Sequence, residues 1–277
     1  MEHQEGAVIV PDGSEFYRQS WRPDGAPRAV LAVIHGFGEH SGRYGNVVDW
    51  FVPKGYAVHA LDQRGHGRSP GPRGHIEDFA QVRGDIRAFL DAVRREEGAD
   101  IPLFLIGHSQ GGLVVLNYAL HDPSGLTGVV ASGPLLSPPG VSPLLLQISK
   151  VLSKIWPTLS MNVGLDVTAL SHDQAVVDAY VADPLVHGQA TPRLGVEVMR
   201  AVEWTQAHAA DFHLPLLIVH GGADRLCDPE ASRRFFEKVT FPDKERIEYE
   251  GFYHEVFNEV GKERVLADVE GWLEEHL

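Results

Sequence analysis

The segment LFLIGHSQGG, Leu103–Gly112, decides how the rest of the chain is read. Four apolar residues lead toward Ser109, and glycines stand two places before it and two places after it. An unbroken apolar run marks a strand covered on both faces. A sharp turn from such a strand into a helix tolerates almost no side chain beside the turning residue, which accounts for Gly107 and Gly111. At a strand–helix junction, G-x-S-x-G lifts a serine hydroxyl above the C-terminal edge of a sheet. There it meets a helix N-terminus whose backbone N–H groups are free. The pentapeptide alone is equally a glycine-rich turn, and the flanking patterns give it its weight.

Outward from this junction, apolar runs alternate with helical periods. Strands are expected at Ala29–His35, Tyr56–Asp62, Pro102–Gly107, Leu126–Ser132, Pro215–Gly221 and Arg246–Gly251, and an antiparallel hairpin at Ala7–Val10 and Glu15–Trp21 around PDGS. Between them, Phe79, Val82, Ile86, Phe89, Leu90 and Val93 recur on one helical face, and Val265, Val269 and Leu273 repeat the pattern near the C-terminus. This alternation predicts a mainly parallel sheet flanked by helices. Leu135 to about His208 breaks the rhythm with no convincing strand. Its residues Leu144, Leu145, Ile148, Val151, Leu152, Ile155 and Trp156 share a helical face, with Lys150 and Lys154 elsewhere. The expected organisation is a core of residues 1–134 and 209–277 interrupted by a helical cap, 135–208. The apolar face either packs on the core or meets a lipid surface, and a helix at a tunnel mouth does both.

A serine hydroxyl is a weak nucleophile until a base takes its proton. With 15 histidines, composition cannot choose the base, but position can. In a fold with this elbow the partners follow in the order serine, acid, histidine. Asp224 stands just beyond one strand end and His254 just beyond the next, and parallel strands share a C-terminal edge. Asp228 is the rival acid, but its Pro229 neighbour reads as the start of a helix capped by Asp228. The backbone N–H groups of Phe37, in a glycine-flanked loop, and of Gln110 are the expected oxyanion donors. His35 is expected to bond loop backbone, and His40, His66 and His75 to be loop or surface residues. In LDQRGHGRS, Leu61–Ser69, Asp62 and the glycines shape a turn that Arg64 braces.

The composition, 43% hydrophobic and 22% charged over 277 residues, is that of a globular chain with a large core. A net charge of −14 disfavours nucleic acid as a partner. No run long enough to span a membrane occurs, and MEHQEGAVIV does not read as a signal peptide. The single cysteine, Cys227, reads as a packed small side chain and fits a cytoplasmic setting. No His/Cys/carboxylate cluster has zinc spacing, so no metal is expected.

The segments HGFGEHSGRY (35–44), GHSQGG (107–112), SHDQAVVDAYVADPLVHG (171–188), GADRLCD (222–228) and YHEVFNE (253–259) resemble the monoacylglycerol lipase family of α/β hydrolases. The likeness runs from about Ala29 to the C-terminus, cap included. It implies an α/β-hydrolase fold, a triad of Ser109, Asp224 and His254, and oxyanion donors at Phe37 and Gln110. It also implies no cofactor, an ester substrate of one long acyl chain with glycerol, and a cap that approaches membranes. Glu39, Arg43 and Tyr180 are candidates for the polar end of the substrate, though loop hydrogen bonding and salt bridging explain them equally well. Leu145 and Ile148 are candidates for the acyl end. Two positions depart from the family: Gln110 where methionine is common, and Phe257 where some relatives carry histidine. A lysophospholipase, a general carboxylesterase, a serine aminopeptidase, a non-catalytic ligand-binding receptor and a membrane-associated scaffold are the alternatives.

Overall fold

Eight strands form one sheet. They are β1 (Glu2–Ile9), β2 (Glu15–Arg22), β3 (Ala29–Ile34), β4 (Tyr56–Leu61), β5 (Leu103–His108) and β6 (Gly128–Ser132), then, after the insertion, β9 (Leu216–Gly221) and β10 (Lys244–Tyr249). The computed structural model describes residues 1–138 and 143–277, with side chains for all of these except residues 143–146. The order across the sheet is β1-β2-β4-β3-β5-β6-β9-β10. The β1–β2 and β2–β4 pairings are antiparallel and all others parallel. Strands β3, β4, β5, β6 and β9 are buried along their whole length, as their unbroken apolar sequences require.

The alternation of side chains along each strand divides the core in two. Val30, Ala32 and Ile34 of β3 join α2 (Phe79–Glu97) and α3 (Gln110–His121) on one face. Ala29, Leu31 and Val33 join α1 (Gly45–Phe51) and α8 (Lys262–Glu274) on the other. The expected faces of α2 and α8 are the buried ones. Asp78 caps α2 by accepting from Gln81 N at 2.8 Å. The first strand is longer than the sequence suggested, starting at Glu2. It is an almost wholly exposed edge strand, so burial imposes no apolar alternation on it.

The insertion contains α4 (Pro143–Ile155), β7 (Met161–Asn162), α5 (Gln174–Ala182), β8 (Gln189–Ala190) and α6 (Pro192–Ala207); α7 (Pro229–Lys238) follows β9. The antiparallel β7–β8 ladder was not foreseen, because two residues are too few to show a period. Leu194, Val198, Ala201 and Val202 of α6 join the main core, and α4 lies against α6. Of the two expectations for the apolar face of α4, packing on the core or meeting a lipid surface, the described side chains leave most of that face open to solvent. Ser153 is buried, whereas Ile148, Val151, Ile155 and Trp156 are exposed, Ile155 at 73%. Among the described side chains, the helix turns Ser149, Leu152 and Ser153 toward the protein and leaves Ile148, Val151 and Ile155 outward. Leu145, like Leu144 and Leu146, lies outside the described side chains.

Candidate active site

Ser109 ends β5 and caps α3 with φ 55 and ψ −119; among the described residues it is the only non-glycine with positive φ. A backbone held there costs on the order of 1–3 kcal/mol and persists only where its surroundings fix it. The surroundings are close: a Cβ on Gly107 would run into the Gly111 carbonyl, and a Cβ on Gly111 into the carbonyls of Ile34 and His35. The strand, the helix and the loop after β3 therefore meet at backbone distance, and Ser109 is carried out of the sheet between them.

Asp224 lies in the turn after β9. Its Oδ1 accepts from Leu226 N at 2.8 Å and Cys227 N at 3.0 Å. Its Oδ2 accepts from His254 Nδ1 at 2.7 Å and faces His220 Nε2 at 3.2 Å. Burial works to raise its proton affinity, but the charge of His254 and the hydrogen bonds from His220 and His254 hold it well below the usual carboxylate range. Burial acts to lower the proton affinity of His254, and the Asp224 charge more than reverses this, leaving it raised. The ring of His108 stands 4.6 Å from that of His254, and burial together with that neighbour lowers His108 to about 4. Asp228 caps α7, accepting from Glu230 N at 3.0 Å, as expected from its proline neighbour.

The partner of Ser109 Oγ is Cys227 Sγ at 3.9 Å; among the described residues no hydrogen bond joins it to His254. Cys227 is buried, and burial followed by the Asp224 charge raises its thiol well above the ordinary value. Neither Phe37 N nor Gln110 N has an acceptor among the described residues. Beside them Gly36 N donates to Glu39 Oε1 at 2.6 Å.

Glu39 belongs to a buried ion cluster. Arg43 donates to Glu39 Oε2 at 2.8 Å and grips Glu255 through two bonds of 2.7 and 2.8 Å. Tyr44 donates to Glu39 at 3.0 Å, and the Arg43 guanidinium lies 4.6 Å from the Tyr180 ring centroid. Burial alone would raise Glu39, but Arg43 holds it below its ordinary range. Glu39, Arg43, His108, Glu255, Phe257 and Asn258 line a small polar pocket. Glu255 is a functional candidate that the sequence reading missed. Its position next to His254 was the available signal, but its pairing with a residue 212 positions away was not readable.

A family model described as "Serine aminopeptidase, S33" matches residues 25–261. The monoacylglycerol lipase of Mycolicibacterium smegmatis is 39% identical over 259 residues, covering 93% of this chain and 92% of that one. The chain belongs to the monoacylglycerol lipase family of α/β hydrolases. Its structure is similar to that of the Paleococcus ferrophilus monoacylglycerol lipase, with TM-score 0.86 and 36% identity over 95% of this chain and 100% of that one. It is also similar to a soluble variant of the monoglyceride lipase from Saccharomyces cerevisiae in complex with a substrate analog, with TM-score 0.87 and 27% identity over 100% and 98%.

Within this monoacylglycerol lipase fold, the two departures are both buried: Gln110 at the start of α3 and Phe257 on the wall of the polar cavity. Ile148, a candidate for the acyl end, is 44% exposed on α4. His35 behaves as expected: Gln63 N donates to its Nε2 at 2.9 Å, so its Nδ1 carries the proton and donates to Gly36 O at 2.7 Å. His40, His66 and His75 lie in loops, as expected, but not at the surface. All three are buried where the cap meets the core. His40 Nε2 pairs with Asp183 at 2.8 Å, His75 Nδ1 with Thr191 Oγ1 at 3.0 Å, and the His66 ring lies 4.8 Å from that of His187. Asp62 shapes its turn as expected, accepting from Ser41 N and Arg68 N at 2.8 Å each. Arg64 reaches past the turn to Asp85 and Asp12. His59, Glu96 and Glu97 cluster elsewhere at metal-ligand spacing, but Arg18 and Arg22 already pair with the two carboxylates at 2.7 and 3.0 Å.

Proposed function

We propose that this chain is a serine esterase that cleaves monoacylglycerols to a free fatty acid and glycerol through an acyl-enzyme. Asp224 bonded to His254 Nδ1 at 2.7 Å, at the sheet edge where Ser109 leaves β5, carries this reading. Ser109 attacks the ester carbonyl while His254 Nε2 takes its proton, and Asp224 holds the tautomer and stabilises the imidazolium. The N–H groups of Phe37 and Gln110 receive the oxyanion. His254 then protonates the departing glycerol, and water repeats the cycle on the acyl-enzyme. Ser109 Oγ faces Cys227 Sγ at 3.9 Å, and the reaction requires it to turn to His254 Nε2.

The Glu39–Arg43–Glu255 cavity takes the glycerol end. Two carboxylates against one guanidinium leave it without a free cation, which favours an uncharged polyol over a phosphate headgroup. Tyr180 on α5 holds the Arg43 guanidinium against its ring. The insertion, residues 135–208, works as the cap, and the acyl chain lies beneath it. Among the described residues no helix is long and apolar enough to cross a membrane. The exposed Ile148, Val151, Ile155 and Trp156 at α4 are the surface that contacts lipid. A panel of monoacylglycerol, triacylglycerol, lysophosphatidylcholine and an aminoacyl anilide, under matched dispersion, tests this. Monoacylglycerol is expected to be turned over fastest, and faster hydrolysis of any other member would overturn the assignment.

A further inference from the structure

His220, at the end of β9, is a buried histidine that the proposed reaction does not use. Its Nε2 faces two acceptors at 3.2 Å, Asp224 Oδ2 and the Cys227 carbonyl. A ring nitrogen between two acceptors carries a proton, so Nε2–H donates. The other nitrogen, Nδ1, lies 2.9 Å from Ser232 Oγ on α7. The Ser232 hydroxyl can donate to that nitrogen or to the Pro229 carbonyl at 2.8 Å, so the ring is satisfied with Nδ1 bare or protonated. Around it stand Asp224 and Cys227 from its own loop, Ser232 from α7, and Arg246 and Glu248 from β10. Arg246 contacts Ser232 at 3.2 Å and Glu248 at 2.8 Å. Glu248 is the parallel-sheet partner of His220.

We infer that His220 is a positioning residue acting through Asp224: its Nε2–H is a second side-chain donor to the carboxylate oxygen that binds His254. The inference rests on the Ser109–Asp224–His254 reading. Asp224 Oδ1 is already fixed by two backbone amides, so the carboxylate stays in place without His220. What changes is its charge. With the second donor present, the negative charge on Oδ2 is shared between two N–H groups. Without it, the whole charge acts on His254, whose imidazolium becomes more stable. His254 then holds its proton to higher pH, and the free base needed for attack on the ester is lost earlier as pH falls.

The test compares His220→Leu and His220→Gln with the wild type on a soluble short-chain ester, with active sites counted by a fluorophosphonate. In His220→Leu the acid limb of kcat/KM is expected to move up by about half a pH unit or more. His220→Gln, which keeps an N–H donor, is expected to recover most of that shift. An unmoved limb in a fully labelled Leu variant would overturn the role. Should His220→Leu not fold, imidazole nitrogen NMR of the wild type, assigned by difference from His220→Gln, decides the matter. A proton on Nε2 supports the inference, and a neutral ring protonated on Nδ1 overturns it. Asp224→Asn separates the two failures. Full activity in that variant would remove the triad and this role together, whereas an inactive Asp224→Asn beside an unmoved limb removes only the role of His220.

Discussion

Asp224 and Asp228 stand in one turn and differ in what their carboxylates bind. Asp224 accepts from His254 and two backbone amides, whereas Asp228 caps α7. Asp224→Asn is therefore expected to lower kcat by about 10³–10⁴-fold, through the wrong tautomer of His254 and a lost charge. Asparagine caps helices as well as aspartate does, so Asp228→Asn is expected to cost at most about 0.5 kcal/mol of stability and to leave turnover near the wild-type rate. Reversed effects in the kinetics of the two variants would assign the acid to the other residue. The pH profile belongs to the same pair. The base must be neutral, and Asp224 raises the proton affinity of His254 above the ordinary 6.5. Activity is thus lost as pH falls through that raised value. A kcat/KM profile on a soluble ester is expected to show its acid limb above 6.5.

Helix α4 is amphipathic in sequence, yet among its described side chains lysines and large apolar residues alike are exposed, and only Ser153 is buried. Ile155 and Trp156 are 73% and 59% exposed beside the exposed Lys150 and Lys154. Exposed apolar residues interleaved with lysines suit an anionic lipid surface even on an acidic protein, because charge acts locally within a Debye length of about 8–10 Å. Replacing Ile155 and Trp156 together by serine is expected to weaken vesicle binding about tenfold or more, each side chain being worth roughly 1.5–3 kcal/mol when fully buried. Turnover of dispersed long-chain monoacylglycerol should fall more than turnover of a soluble short-chain ester. Equal losses in the two assays would count against a surface role for the helix.

Across the whole molecule, the cap is built into the histidine loop as well as lying over it. His254 N donates to Ala169 O at 3.3 Å and Glu255 N to Leu170 O at 2.8 Å. The carboxylate of Glu259, only 1% exposed, ties both sides together. It accepts from Ser171 Oγ and from His172 N and Nδ1 on the cap, and from Tyr253 N next to His254. Removing that carboxylate leaves buried donors without acceptors. Glu259→Ala is expected to lower stability by on the order of 3 kcal/mol in urea unfolding, and to reduce kcat on small esters even among folded molecules. Unchanged kcat per active site would show that the histidine loop holds itself.

Much of the fold was legible because burial on both faces writes itself into the chain. Strands β3, β4, β5, β6 and β9 need unbroken apolar runs, and the elbow needs its glycines whatever surrounds it. Ser109, Asp224 and His254 were picked out because each follows a recognisable strand, and local sequence fixes strand ends. The pairings beyond them were not legible. Arg43 meets Glu255 across 212 positions, His40 meets Asp183 across 143, and His220 shares an oxygen of Asp224 with a residue of another loop. No periodicity encodes such meetings. The side of α4 that faces outward was equally hidden, since the sequence defines an apolar face but not its neighbour. Sequence determined the buried strands, the elbow and the long core helices, through local sterics and burial, but not the exposed extent of β1 or the short β7–β8 ladder. Tertiary packing alone decided which histidines are buried at the cap seam, which charges are paired, and which face of the cap meets solvent.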